Sequence, residues 1–240
     1  ESNLQTLELL KSIEELSEGV NEFKEELKYE EADTPDEDKR TPEWNAMREL
    51  CNNYEEVGLI LMAKEKEEQA LDCFERSLKL RRELGECKAL AKTLAVMARA
   101  VLRFYRYEEC KQYLDERLEI QKVIYPENHA SLIATYNIFG DFYDAHIDMT
   151  IAVKSYERAL EIYREHRLEE DSTAANIHRN LGKILSAWGE YEETEHHLIS
   201  AFKIKEKYLP KGHSHLIWIA ERLVKIYEET GREDEAFSWY

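Results

Sequence analysis

Apolar residues recur along this chain with the three- and four-residue spacing of helices, and polar residues fill the positions between them. A longer period is laid over that one. Starting from the small residue Gly58, equivalent positions fall at Ala98, Gly140, Gly182 and Val224, in steps of 40, 42, 42 and 42 residues. Sixteen residues after each stands a bulky one: Phe74, Leu114, Tyr156, Leu198 and Tyr240. One residue before each stand Val57, Met97, Phe139, Leu181 and Leu223. Twelve after lie Ala70, Cys110, Ala152, Thr194 and Ala236, and nineteen after lie Ser77, Arg117, Ala159 and Ala201. Small residues in phase with large ones mark close helix crossings, where only a minimal side chain fits between backbones and a large neighbour fills the adjacent hole.

Each unit therefore reads as an antiparallel helix pair, and repetition at this period predicts an all-α, right-handed α-solenoid of about five pairs. In the fourth unit the first helix is expected at about 172–188, Gly189 at the turn, and the second helix at about 191–208. Asp148 and Ser172 are expected N-caps. Arg117 breaks the pattern, because a small residue is expected there. Pro126-Glu-Asn-His129 and Pro210-Lys-Gly-His213 stand two periods apart. Proline ends a helix, and the histidine that follows is expected to cap the next one.

The units fall at about 43–85, 86–126, 127–169, 170–211 and 212–240. Ahead of them, Leu9, Ile13, Leu16, Val20, Phe23 and Leu27 alternate steps of four and three, a short heptad seam. Residues 1–31 are expected to form a separate helix that caps the first unit; a dimerisation helix and a segment lying in the groove are the alternatives. Residues 32–42 form an acidic linker with two prolines.

Composition narrows the function. Of 240 residues, 35% are charged, and Gly (8) and Pro (4) are scarce, which excludes an all-β protein. The net charge is −18; residues 1–40 hold 14 acids against 5 bases. An acidic field repels phosphate backbones, so nucleic acid is not expected as a partner. No apolar run is long enough to span a membrane. The four cysteines form no CxxC pair and read as buried and reduced; together with the lack of an Asn-x-Ser/Thr acceptor, they fit a cytoplasmic location. The chain has no initiating Met and ends within a helical pattern, which reads as an excised or processed fragment. His196-His197 and His213-Ser-His215 are the histidine clusters. Neighbouring positions on a helix point about 100° apart, poor geometry for one metal. No phosphate loop, HExxH or GxSxG appears. Neither an enzyme, a metal nor a cofactor is expected.

Residues 137–160, NIFGDFYDAHIDMTIAVKSYERAL, and 180–202, NLGKILSAWGEYEETEHHLISAF, resemble the tetratricopeptide repeat (TPR) family. The 42-residue period and the Pro-x-x-His loops resemble the longer repeats of kinesin light chains. The resemblance covers about residues 43–240, and implies a concave groove lined by the first helices. Carried over position by position, the groove residues are Asn52, Glu55, Glu56, Leu59 and Met62 in unit one, and Lys92, Arg99, Leu102 and Arg103 in unit two. Unit three gives Asn137, Ile138, Asp141 and Asp144. Unit four gives Asn176, Arg179, Asn180 and Lys183, and unit five gives Trp218, Glu221, Arg222 and Lys225. In the family, asparagines at the positions of Asn137 and Asn180 often bind a ligand's backbone. Lys92, Arg99, Arg103, Arg179, Lys183, Arg222 and Lys225 would make this surface basic on an acidic protein.

The expected function is a scaffold or adaptor that holds a peptide or helical segment of a partner protein, with an acidic motif as the specific expectation. Asp141 and Asp144 oppose that motif, or select a ligand with a basic residue at its centre. Two alternatives stand beside it: a structural assembly module that forms a homo-oligomer through its faces or N-terminal helix, and a regulatory domain of a larger enzyme. Trp239 is expected to pack against a continuation of the chain.

Overall fold

The computed structural model describes residues 41–145, 148–168 and 170–239. The N-terminal helix, nearly all of the acidic linker and Tyr240 lie outside the described residues. Among the described residues every regular element is a helix.

The helices come in pairs: α1 (Pro42–Ala63) with α2 (Glu67–Leu84), α3 (Cys87–Arg103) with α4 (Tyr107–Ile124), and α5 (Leu132–Ala145) with α6 (Met149–Glu165). Then follow α7 (Ser172–Trp188) with α8 (Tyr191–Lys205), and α9 (Ser214–Glu229) with the short α10 (Glu233–Phe237). Each second helix also packs on the first helix of the next pair, which makes a solenoid.

Local chemistry sets the ends. Thr41 accepts a hydrogen bond from the Trp44 amide at 3.1 Å, and Pro42 opens α1 where its missing N–H costs nothing. Asp148 caps α6 by accepting from the Ile151 amide. At α7 the cap is Asp171 and not Ser172; its carboxylate accepts from the Ala174 amide at 3.0 Å and from the Tyr163 hydroxyl at 2.7 Å. The two Pro-x-x-His loops share one geometry. The His129 and His213 amides donate to the Pro126 and Pro210 carbonyls, and their Nδ1 atoms accept from the Ser131 and His215 amides. Both rings thus cap the helix that follows.

The small-to-large relation is a contact within each pair. A Cβ added at Gly58, Gly140 or Gly182 would overlap Phe74, Tyr156 or Leu198, the residue sixteen places on. Three apolar clusters run along the solenoid, each reaching into the next unit, as when α5's Phe139 and Phe142 join the core of the first two pairs.

Several side chains depart from expectation. Arg117 is fully buried. Its guanidinium donates to Thr135 Oγ1 at 2.7 Å and to the Ala91 and Ser131 carbonyls, and Gln121 joins the same group through Thr135 and Ser131. Polar partners on α5 replace the close packing that a small residue would give. Trp239 packs edge-on against Phe202, with ring centroids 5.0 Å apart. Cys51 and Cys110 are buried, but Cys87 is exposed at the start of α3. Burial pushes the Cys110 thiol up to about 12, so it is inert at neutral pH.

Candidate functional site

The first helices carry the expected groove residues, and Asp141 on α5 is their hub. Its Oδ2 pairs with the Arg99 guanidinium of α3. Its Oδ1 accepts from the Tyr156 hydroxyl at 2.6 Å and from Asn180 Nδ2 of α7 at 3.0 Å. Asn180 Nδ2 also donates to the Tyr156 oxygen, and Asn180 Oδ1 accepts from Arg179 at 3.3 Å. Burial, then the Asp141 charge, holds the Tyr156 hydroxyl well above its usual range, so it stays a donor. Beside this hub, Lys183 Nζ pairs with Asp144 Oδ2 at 2.7 Å.

These contacts correct the picture of a uniformly basic groove. Arg99 and Lys183 spend their charge on Asp141 and Asp144. For the same reason the two aspartates are not set to select a basic ligand residue. Lys225 pairs with Glu229 one turn along α9, at 3.6 Å. Asn137 is only 4% exposed, too deep to clamp a ligand's backbone. The Asn180 amide is engaged within the hub. In unit one, Asn52 and Glu55 are also engaged, accepting from Arg81, Ser77 and Thr93 in a network that includes the buried Arg81–Glu86 pair. The pairs were visible in the sequence as opposite charges about one period apart: Arg99 and Asp141 by 42 residues, Asp144 and Lys183 by 39.

What the fold does bring together lies between α7 and α9. Arg179, Asn180 and Lys183 face Ser214, His215, Trp218 and Arg222 across a cavity of about 540 Å³. The Arg222 guanidinium sits over the Trp218 ring, 5.4 Å from its centroid. On α7, the Asn176 Oδ1 is buried and accepts no hydrogen bond among the described residues. Lys92 and Arg103 are exposed on α3, outside this cavity. An arginine on an aromatic face and a second arginine can hold a carboxylate in directed, charge-assisted hydrogen bonds. Ser214, His215 and Trp218 come from the cavity's α9 wall; Trp218's place among the first-helix positions was legible, the other two were not.

Two of the histidines pair with each other. His178 Nδ1 and His197 Nδ1 share a hydrogen bond of 2.8 Å between α7 and α8. Burial lowers both to about 4, with His196 and Arg164 adding to the effect. Among the described residues no His, Cys, Asp and Glu cluster could hold a metal ion, and no helix is long and apolar enough to cross a membrane.

The tetratricopeptide repeat family model matches residues 52–84, the region of α1 and α2. The described residues have the fold of a tetratricopeptide-repeat solenoid. Its fold matches the crystal structure of BtubC (BKLC) from P. vanneervenii at 16% identity and a TM-score of 0.69, covering 96% of this chain and 87% of that one. It also matches the kinesin light chain TPR-like repeats of Podosopora anserina at 17% identity and a TM-score of 0.63, covering 83% and 93%. The apo form of RapI matches at 17% identity and a TM-score of 0.62, covering 82% of this chain and 56% of that one. No curated protein matches the sequence. A TPR solenoid of this kind presents an extended surface suited to protein partners.

Proposed function

We propose that this chain is an interaction scaffold, not an enzyme, and that it holds an acidic segment of a partner protein in the cavity between α7 and α9. The observation that carries this reading is the meeting of the Arg179 and Arg222 guanidinium groups with Trp218 around one space. A ligand carboxylate there would meet two guanidinium groups in a protein whose overall charge is −18. The local field, not the global one, sets the preference. Each charge-assisted hydrogen bond contributes about 1.5–3 kcal/mol. Trp218 offers an apolar wall for the residue beside the carboxylate. The four free cysteines fit a reducing, cytoplasmic setting.

The test is titration of a fluorescent Glu- and Asp-rich peptide into the full chain. Arg179→Glu and Arg222→Glu should each weaken binding about tenfold or more, equal to about 1.4 kcal/mol. Lys92→Glu, outside the cavity, should leave affinity within about twofold. Equal affinity for all three variants would remove the cavity from the reading.

A further inference from the structure

The repeat register exposes an unfilled face on α1. In the later units the first helix carries an apolar stripe at three positions: eight before the small residue, one before it and two after it. In α7 these are Ala174, Leu181 and Ile184, and in α9 they are Leu216, Leu223 and Ile226, none more than 6% exposed. All three are buried in α5 as well, and in α3 two are buried while Leu90 is partly buried. Phe139 and Phe142 of α5 join the apolar core of the first two pairs, Ala174, Leu181 and Ile184 of α7 that of the third, and Leu223 and Ile226 of α9 that of the fourth. In α1 the same positions are Leu50, Val57 and Ile60. They keep large aliphatic side chains, yet they are 42%, 47% and 46% exposed. Spacings of seven and three put them on one helix face.

We propose that residues 9–27 of this same chain lie along α1 and cover Leu50, Val57 and Ile60, in the place that a preceding unit would take. The segment carries its own apolar seam, long enough to reach past all three positions: Leu9, Ile13, Leu16, Val20, Phe23 and Leu27. It connects to α1 through residues 28–40, which can span roughly 40 Å when extended. The 22 residues of α1 span about 33 Å, so the segment can return along the helix in either direction. Tethering raises its effective concentration to about the millimolar range, well above that of a second copy in dilute solution. Terminal repeats need such a cover to keep their stacking face out of water.

The test is hydrogen exchange on the full chain, with light scattering on the same samples. The expected result is a monomer of 28.4 kDa whose amides at 9–27 and along α1 exchange at least about a hundredfold more slowly than unstructured chain. Val57→Asp should cut protection at 9–27 about tenfold or more and leave α5–α9 unchanged. Val20→Asp should cut protection along α1 in the same way. It lies outside the solenoid, so it decides the matter even if Val57→Asp unfolds α1. Unstructured-rate exchange at 9–27 in the unaltered chain would overturn the proposal, as would indifference to Val20→Asp. A doubled mass that Val57→Asp returns to monomer would give the face to a second copy instead.

Discussion

The ring of Tyr156 fills the space that a side chain at Gly140 would occupy. It cannot retreat, because its hydroxyl is held by Asp141 and Asn180. Phe74 stands in the same relation to Gly58 without a hydroxyl, and Leu198 to Gly182 with a flexible branched end. Alanine would improve helix propensity by about 1 kcal/mol at each site, but overpacking costs about 1–3 kcal/mol. Gly140→Ala should therefore destabilise most, by about 2 kcal/mol net, Gly58→Ala less, and Gly182→Ala least. Urea denaturation of the three variants would check the order; a Gly182→Ala loss larger than that of Gly140→Ala would contradict it.

Removing the hub itself should be costlier. Asp141→Ala strips Arg99 of its counter-ion and leaves the Tyr156 hydroxyl and the Asn180 amide short of an acceptor. A loss of about 3 kcal/mol is expected, because the partly buried Arg99 loses its aspartate partner. Urea denaturation would read the loss, and a change under about 1 kcal/mol would contradict the role of Asp141 as a hub.

Acid should weaken the joint between α7 and α8. One of His178 and His197 donates to the other, which needs the accepting ring to be neutral in the folded protein. Their values are lowered from 6.5 to about 4, first by burial. The unfolded chain takes up protons as pH falls below about 6.5, while the folded one resists until about 4. Stability is therefore complete above pH 6.5 and is lost progressively as pH falls toward 4. Glu170 Oε1, 3.5 Å from His178 Nε2, and the nearby Arg164 and His196 are the charged groups in reach. The full contribution is on the order of 3 kcal/mol for His178. Denaturation at pH 7 and pH 5 should show a drop that the His178→Leu, His197→Leu double variant lacks; equal drops would refute the assignment.

Two turns carry avoidable strain. Seven residues after the small position, Gly189 and Gly231 adopt φ of 79° and 71°, while Glu65 and Tyr105 take φ of 56° and 61° at the same place. A left-handed conformation costs a non-glycine residue about 1–2 kcal/mol, and glycine returns part of that in unfolded-state entropy. Tyr105 is 77% exposed, so little packing is lost with its ring. Tyr105→Gly and Glu65→Gly should each raise stability by about 0.5–1 kcal/mol and Tm by about 2 °C, read by thermal melting.

The period was legible because close helix crossings admit few residue types, and Gly58, Gly140 and Gly182 each pair with a large residue sixteen places on. The α7 cap falls one residue earlier than expected because Asp171 and Ser172 both cap well, and the aspartate takes the bonds from the Ala174 amide and the Tyr163 hydroxyl. Charge was the harder part. A count of cations on the first helices sees Arg99 and Lys183 as free, while neighbouring units bring Asp141 and Asp144 against them. Arg117 shows the same limit in reverse: the size pattern forbids it, and polar groups from α3 and α5 accommodate it. Composition on one helix does not report what the adjacent helix supplies.

Asp141 binds to side chains on α3, α6 and α7, so one carboxylate ties together three consecutive units. In mechanical terms it is a rivet through the middle of a coiled spring. Stretching or unwinding the array at its centre must break several bonds at once, so the pitch there is fixed. A long partner that needs the array to bend would meet its stiffest point in the units around Asp141, and Asn180 carries that stiffness to the α7 wall of the cavity.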